Sequence, residues 1–242
     1  MILVTGCNET YLRRMMPYLA SLQEYADFRV YLVGVGFMPQ KFAGIESVCI
    51  SKAANEGAPP ETESIQHGSF IHALDDVPDD EVIIYTDGDF IMQRVMDDNE
   101  RELLNIGDGT AVTSWNGGPH ETLKTEAARL GQKLTDEEMT AVWGEGWQSR
   151  PIYNVGFLAL TAWEWEELRG RYVIYWPLVC ECFSHQARQQ WLISYLLDMF
   201  YTVTIAPWSL HAHGHFGLKP GMEQRSDGVY ADGKRALFRH YL

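Results

Sequence analysis

Two carboxylates separated by one glycine, Asp87-Gly88-Asp89, are well suited to hold a hard divalent cation. Such cations take oxygen donors, and the glycine permits a tight turn. Acidic triplets are common on solvated turns, so this one draws its weight from what precedes it. Val82-Ile83-Ile84-Tyr85-Thr86 is an unbroken, mostly apolar run, the pattern of a strand buried on both faces. It delivers both acids to the carboxyl end of a sheet, where open α/β folds place their ligand crevices. A second set lies far along the chain, in His211-Ala212-His213-Gly214-His215-Phe216-Gly217-Leu218-Lys219-Pro220. It offers three imidazoles for a metal and a lysine for phosphate. A mixed carboxylate and imidazole shell suits Mn²⁺ better than Mg²⁺, and it lacks the thiolates of a structural zinc site.

The elements that must position these residues alternate between strand and helix, the pattern of a mostly parallel α/β sheet flanked by helices. Strands are expected over 2–5, 28–35, 47–50, 82–86, 152–160 and 201–205. Helices are expected over 10–25, 63–74, 121–130, 136–142, 163–168 and 184–200, the first with Leu12, Met15, Met16, Leu19 and Leu22 at helical spacing. The stretch 116–150, rich in Gly, Trp and charge, reads as lid-like. The tail from 211 to 242 has little apolar periodicity and is expected to wrap the surface or the mouth of the site.

A chain of 242 residues with 46% hydrophobic content can bury one substantial core, and it reads as one domain. The nucleotide-binding part is expected over about 1–110 and the acceptor and lid part over about 111–242. With 19 basic against 33 acidic residues, the charge of -14 opposes general attraction to nucleic acid or anionic membrane. The first residues read as a strand rather than a leader, and no apolar run approaches a membrane span. A cytoplasmic protein with reduced thiols is the resulting expectation, since Cys7, Cys49, Cys180 and Cys182 lack paired metal spacing.

Four separated motifs resemble the GT-A glycosyltransferases, in particular the retaining enzymes related to glycogenin and the bacterial galactosyltransferases. Val82 to Met92 resembles their strand ending in a metal-binding DxD motif. Tyr153-Asn154-Val155-Gly156-Phe157-Leu158 resembles their donor-sugar motif. His213, six residues before Lys219-Pro220, is similar to their terminal pattern, in which a His completes the metal shell and a Lys binds the diphosphate. Gln189-Gln190 stands where relatives carry Asp-Gln, so Gln190 fits and Gln189 replaces an acid. Gly217 and Gly221 also depart from the terminal pattern. Thr5 to Tyr11 resembles the loop that holds the nucleotide, with Asn8 able to read a base edge and Tyr11 able either to stack on it or to pack under the first helix.

The resemblance implies a Rossmann-like GT-A fold and metal-dependent transfer of a hexose, from a UDP-sugar by family default, to a hydroxyl acceptor, retaining rather than inverting. Asp87, Asp89 and His213 would be metal ligands. Lys219 and Thr5 would serve the nucleotide, and Asn154, Gly156 and Gln190 would border the sugar. The acceptor stays open among sugar, glycan, protein and modified nucleobase. An inverting enzyme would need a general base, for which Glu145, Glu181 and Asp198 are candidates. Trp115, Trp143 and Trp147 either form an acceptor platform or pack in the core or lid. Two rivals are a nucleotidyltransferase, although no glycine-rich phosphate loop opens a helix near the N-terminus, and a binding domain of the same fold without turnover.

Overall fold

The computed structural model describes residues 1–50, 77–116, 120–184, 188–212, 218 and 221–240. The helix expected over 63–74, and with it His213, His215 and Lys219, lies outside them. The central sheet has seven strands: β1 (Ile2–Cys7), β2 (Arg29–Val35), β3 (Glu46–Ile50), β4 (Val82–Thr86), β6 (Thr110–Trp115), β7 (Tyr153–Thr161) and β8 (Thr202–Ile205). Their order is β3-β2-β1-β4-β7-β6-β8. All neighbours are parallel except β7, which runs antiparallel to both β4 and β6. The expected mostly parallel sheet is therefore present, with a reversed strand at its centre.

β4 is buried at every position, and the alternation of its side chains divides the core in two. Ile83 and Tyr85 join the layer that includes α5 (Ala162–Cys182) and α6 (Gln189–Phe200). Val82 and Ile84 join the opposite layer, under α1 (Glu9–Tyr25). α1 begins where Asn8 caps it, the Asn8 side chain accepting from the Tyr11 amide at 2.9 Å.

Beyond β6 and the helix Asp98–Leu103, which were not expected at all, two regions depart from expectation. The helix expected over 163–168 continues for 21 residues, because Leu168, Tyr172, Trp176 and Val179 form one buried stripe at helical spacing. Pro177 within it removes a hydrogen bond to the carbonyl of Val173, which sits on the exposed side where water can satisfy it. The tail does more than wrap the surface. β9 (His211–Ala212), β10 (Met222–Arg225), β11 (Gly228–Ala231), β12 (Lys234–Arg235) and β13 (Phe238–His240) build two small sheets, one of which captures β5 (Phe90–Met92). Leu210, Leu237 and Phe238 are fully buried in the α1 layer. Strands of two to four residues are too short to show a period, which is why the sequence hides them.

A charge network locks this tail to the chain that follows the acidic turn. Arg94 donates to both oxygens of Glu100, at 2.8 Å from Nη1, and Lys234 of β12 donates to Glu100 at 2.8 Å and to Asp97. Asp97 and Glu100 also form the capping box of α2 (Asp98–Leu103). Burial acts to raise the pKa of the Glu100 carboxyl, but the hydrogen bonds from Arg94 and Lys234 prevail and hold it below its ordinary value. A depressed carboxyl contributes stability that is present above the unfolded value and is lost as pH falls through the folded one. Glu100→Gln is expected to cost about 3 kcal/mol at pH 7, the order for a broken buried ion pair. The gap from wild type should shrink as pH falls below about 4; denaturant unfolding at pH 7 and pH 3 checks both.

Among the described residues no helix is long and apolar enough to cross a membrane. All four cysteines carry free thiols, and burial pushes the Cys7 thiol up to about 12.

Candidate active site at the carboxyl edge of β4

The acidic turn begins where β4 leaves the sheet. Beneath it the last buried residues are tied down: the fully buried Thr5 hydroxyl donates to the Thr86 carbonyl at 2.9 Å, and the Tyr18 and Thr86 hydroxyls bond at 2.6 Å. Asp87 and Asp89 are both part-exposed, with Gly88 buried between them. A side chain at Gly88 would meet buried Met15 at 2.7 Å, so α1 packs directly under the turn.

β7 supplies the opposite wall because it runs backwards. Its first residues, not its last, lie beside the end of β4: Thr86 pairs with Phe157, and the Asp87 amide donates to the Gly156 carbonyl at 2.8 Å. Asn154 and Gly156 thus come to the acidic turn although 67 and 69 positions separate them from Asp87. The Asn154 side chain is buried and accepts from the Gly156 amide at 2.9 Å. A Cβ at Gly156 would lie 2.4 Å from Asp87 Oδ2 and 3.0 Å from Asn154 Oδ1. The missing side chain is the space that the Asp87 carboxylate occupies. Hard oxygen donors held in a glycine-lined cradle fit a divalent cation.

Tyr85 orients that carboxylate, a partner the sequence reading passed over as a strand residue. Its hydroxyl donates to Asp87 Oδ1 at 2.6 Å. Burial pushes the phenol's pKa well above its ordinary value, and the Asp87 and Asp89 charges push it further, so it stays a donor. Tyr85→Phe removes one oxygen atom and one hydrogen bond. Loss of such outer partners costs about 10–100-fold in metal affinity or activity, and that weakening is expected here, read by metal titration with the fold followed by circular dichroism.

The structure also brings an unforeseen histidine to the turn. β13 pairs antiparallel with β5, His240 opposite Phe90, which places His240 Nδ1 3.7 Å from Asp89 Oδ1. Its ring packs edge-on against Phe90 at 4.3 Å between centroids. No sequence signal marks it, since pairing with β5 is what places it. His211 is fully buried between Phe90 and Phe157, and its Nδ1 is 2.6 Å from the Ser114 hydroxyl. Among the described residues no three carboxylate, imidazole or thiol groups converge as a complete metal shell.

The other candidates are distributed around this centre. Gln190 lies one turn before Ser194, whose hydroxyl accepts from the Tyr153 amide at 3.0 Å, so it stands on the face of α6 that meets the start of β7. The Asn8 side-chain oxygen is engaged in capping α1. Tyr11 is half-buried against the α1 layer, with the Arg14 guanidinium 6.0 Å from its ring centre. Asp198 is paired with Arg150 at 2.5 Å. Trp143 and Trp147 are buried with Trp191 and so form core rather than platform. Trp115 alone of that trio is partly exposed, stacked on Tyr153 beside Asn154.

A mostly parallel sheet whose single reversed strand closes over an acidic strand end is the GT-A arrangement. Solved structures bear this out. The galactosyltransferase LgtC in complex with donor and acceptor sugar analogues aligns with a TM-score of 0.59 at 12% identity, covering 100% of this chain and 87% of LgtC. An active-site mutant of LgtC aligns with a TM-score of 0.60 at 11% identity, again over 100% of this chain and 87% of the other. The apo form of mouse xyloside xylosyltransferase 1 aligns with a TM-score of 0.55 at 11% identity, over 100% of this chain and 98% of that one. Neither a family model nor a curated protein matches the sequence. At such identities the likeness shows the fold.

Proposed function

We propose that this chain is a glycosyltransferase that moves a hexose from a nucleotide sugar to a hydroxyl acceptor with the help of a divalent cation. The observation that carries this reading is the Asp87 carboxylate, aimed by Tyr85 into the space left by Gly156 and bordered by Asn154. The fold supports it too, since LgtC, with the same architecture, was solved with donor and acceptor sugar analogues.

Asp87 and Asp89 would hold the cation with His213, and Mn²⁺ suits such a shell better than Mg²⁺. Bound there, the cation would neutralise charge building on the diphosphate as the sugar leaves. Lys219 adds a charge-assisted contact to the same group. Asn154, Gly156 and Gln190 border the sugar, and Asn8, Tyr11 and the backbone at Thr5 line the nucleotide side. A UDP-sugar is the favoured donor and a retaining course the favoured stereochemistry. The acceptor is a hydroxyl of a sugar, glycan, protein or modified nucleobase, reached from the side of Trp115.

A panel of nucleotide sugars incubated with Mn²⁺, Mg²⁺ or EDTA tests the reading through its products. Metal-dependent release of nucleoside diphosphate and free sugar is the expected result. Pyrophosphate release with a nucleotide triphosphate would instead mean nucleotidyl transfer, and no turnover of any donor would leave a binding domain.

A further inference from the structure

The strand that brings His240 to Asp89 carries a second charged residue on its other face. Successive side chains of a strand alternate, so Arg239, opposite Ile91 in β5, points away from the acidic turn. There it lines a cavity of about 350 Å³ between the C-terminal half of α1, β5 and the β10–β11 hairpin. The volume lies within the range of small-ligand pockets.

Arg239 is half-buried, its Nε is shielded from solvent, and that nitrogen has no hydrogen-bond partner. Among the described residues no carboxylate pairs with it, whereas Arg94, Arg101, Arg150, Arg169 and Arg171 each have one. A half-buried guanidinium with a shielded, unpartnered Nε gains from an oxygen acceptor, and the cavity gives such an acceptor room. Two acids and a second guanidinium share the cavity wall, and Asp227 lies in the field of that guanidinium, Arg235. Asp227 accepts from the Tyr230 hydroxyl at 2.8 Å, and Glu24 hydrogen-bonds the Tyr25 phenol. The wall is also rigid: buried Gln93 donates to the Ala236 carbonyl at 3.0 Å and accepts from the Val229 amide at 2.9 Å.

We infer that this cavity is a second ligand site, separate from the Asp87–Asp89 centre, which takes a monosaccharide-sized molecule bearing an oxyanion, with Arg239 as its charged anchor. A guanidinium receives carboxylate and phosphate oxygens with the same planar fork, so a uronic acid and a sugar phosphate present the shared chemistry.

Glucuronate and glucose 1-phosphate, titrated calorimetrically into the full chain with EDTA and no donor, test this independently of any transferase activity. Saturable binding of at least one is expected, weakened about tenfold or more in Arg239→Gln, and the stronger of the two names the acid. Ala20→Glu supplies a carboxylate from an exposed cavity-lining position on α1 and should abolish binding with Arg239 intact, which decides the matter if Arg239→Gln does not fold. Absence of binding in the wild type, or binding undiminished in both variants, overturns the inference. Binding kept in Arg239→Gln but lost in Lys219→Ala would place the anion at the nucleotide site and overturn it equally.

Discussion

Gly156→Ala is expected to lower donor turnover by about 100-fold or more while leaving a folded protein. The added carbon would stand 2.4 Å from Asp87 Oδ2, well inside van der Waals contact, so the carboxylate must move by about an ångström, and displacements of that size cost about 10²-fold in rate. Gly156 lies in β7 where its register against β6 slips, and its backbone is not left-handed, so alanine meets no left-handed strain. Overpacking there should cost only about 1–3 kcal/mol. Kinetics of donor hydrolysis beside a thermal melt separate the two effects: a large loss of rate with a small loss of stability is the expected pair. Full activity in the alanine variant would mean that Asp87 does not work from the position it occupies.

Asp89→Asn is expected to have the largest effect of any single substitution. The amide keeps the shape of the side chain and removes the charge that a cation requires. Losing several kcal/mol of electrostatic stabilisation, taken as about 4, corresponds to about a 10³-fold fall in rate. Excess Mn²⁺ should restore part of it, because the defect lies first in metal affinity. The fold should be unchanged, since Asp89 is part-exposed and the core beneath the turn is held by Thr5, Tyr18 and Thr86. Steady-state hydrolysis across a range of Mn²⁺ concentrations reads both features.

The acidic turn was legible in the sequence because β4 is buried on both faces, and a continuous apolar run ending in two acids has few other uses. Asn154 and Gly156 were legible as a motif, but their contact with Asp87 was not: it depends on β7 running backwards, which no periodicity encodes. Tyr85 was hidden within the apolar run, where its phenol looks like any other strand aromatic. His240 was hidden more deeply, since a three-residue strand has no pattern and its partner lies near position 90. The tryptophans show the converse. By type Trp143 and Trp147 left platform and core packing equally open; burial decides their role, and a residue list carries no burial. The long α5 was missed because Pro177 reads as a stop unless the exposed side of the helix is known.

The central claim is that Asp87 and Asp89 bind a divalent cation and, through it, a nucleoside diphosphate. The most direct test is the electron paramagnetic resonance signal of free Mn²⁺, titrated with the protein in the presence and absence of UDP, for the wild type and for Asp87→Asn with Asp89→Asn. The expected result is one Mn²⁺ taken up per chain, more tightly with UDP than without it, and no uptake by the double variant. Uptake that is unchanged in the double variant, or UDP binding that is indifferent to the metal, would contradict the assignment.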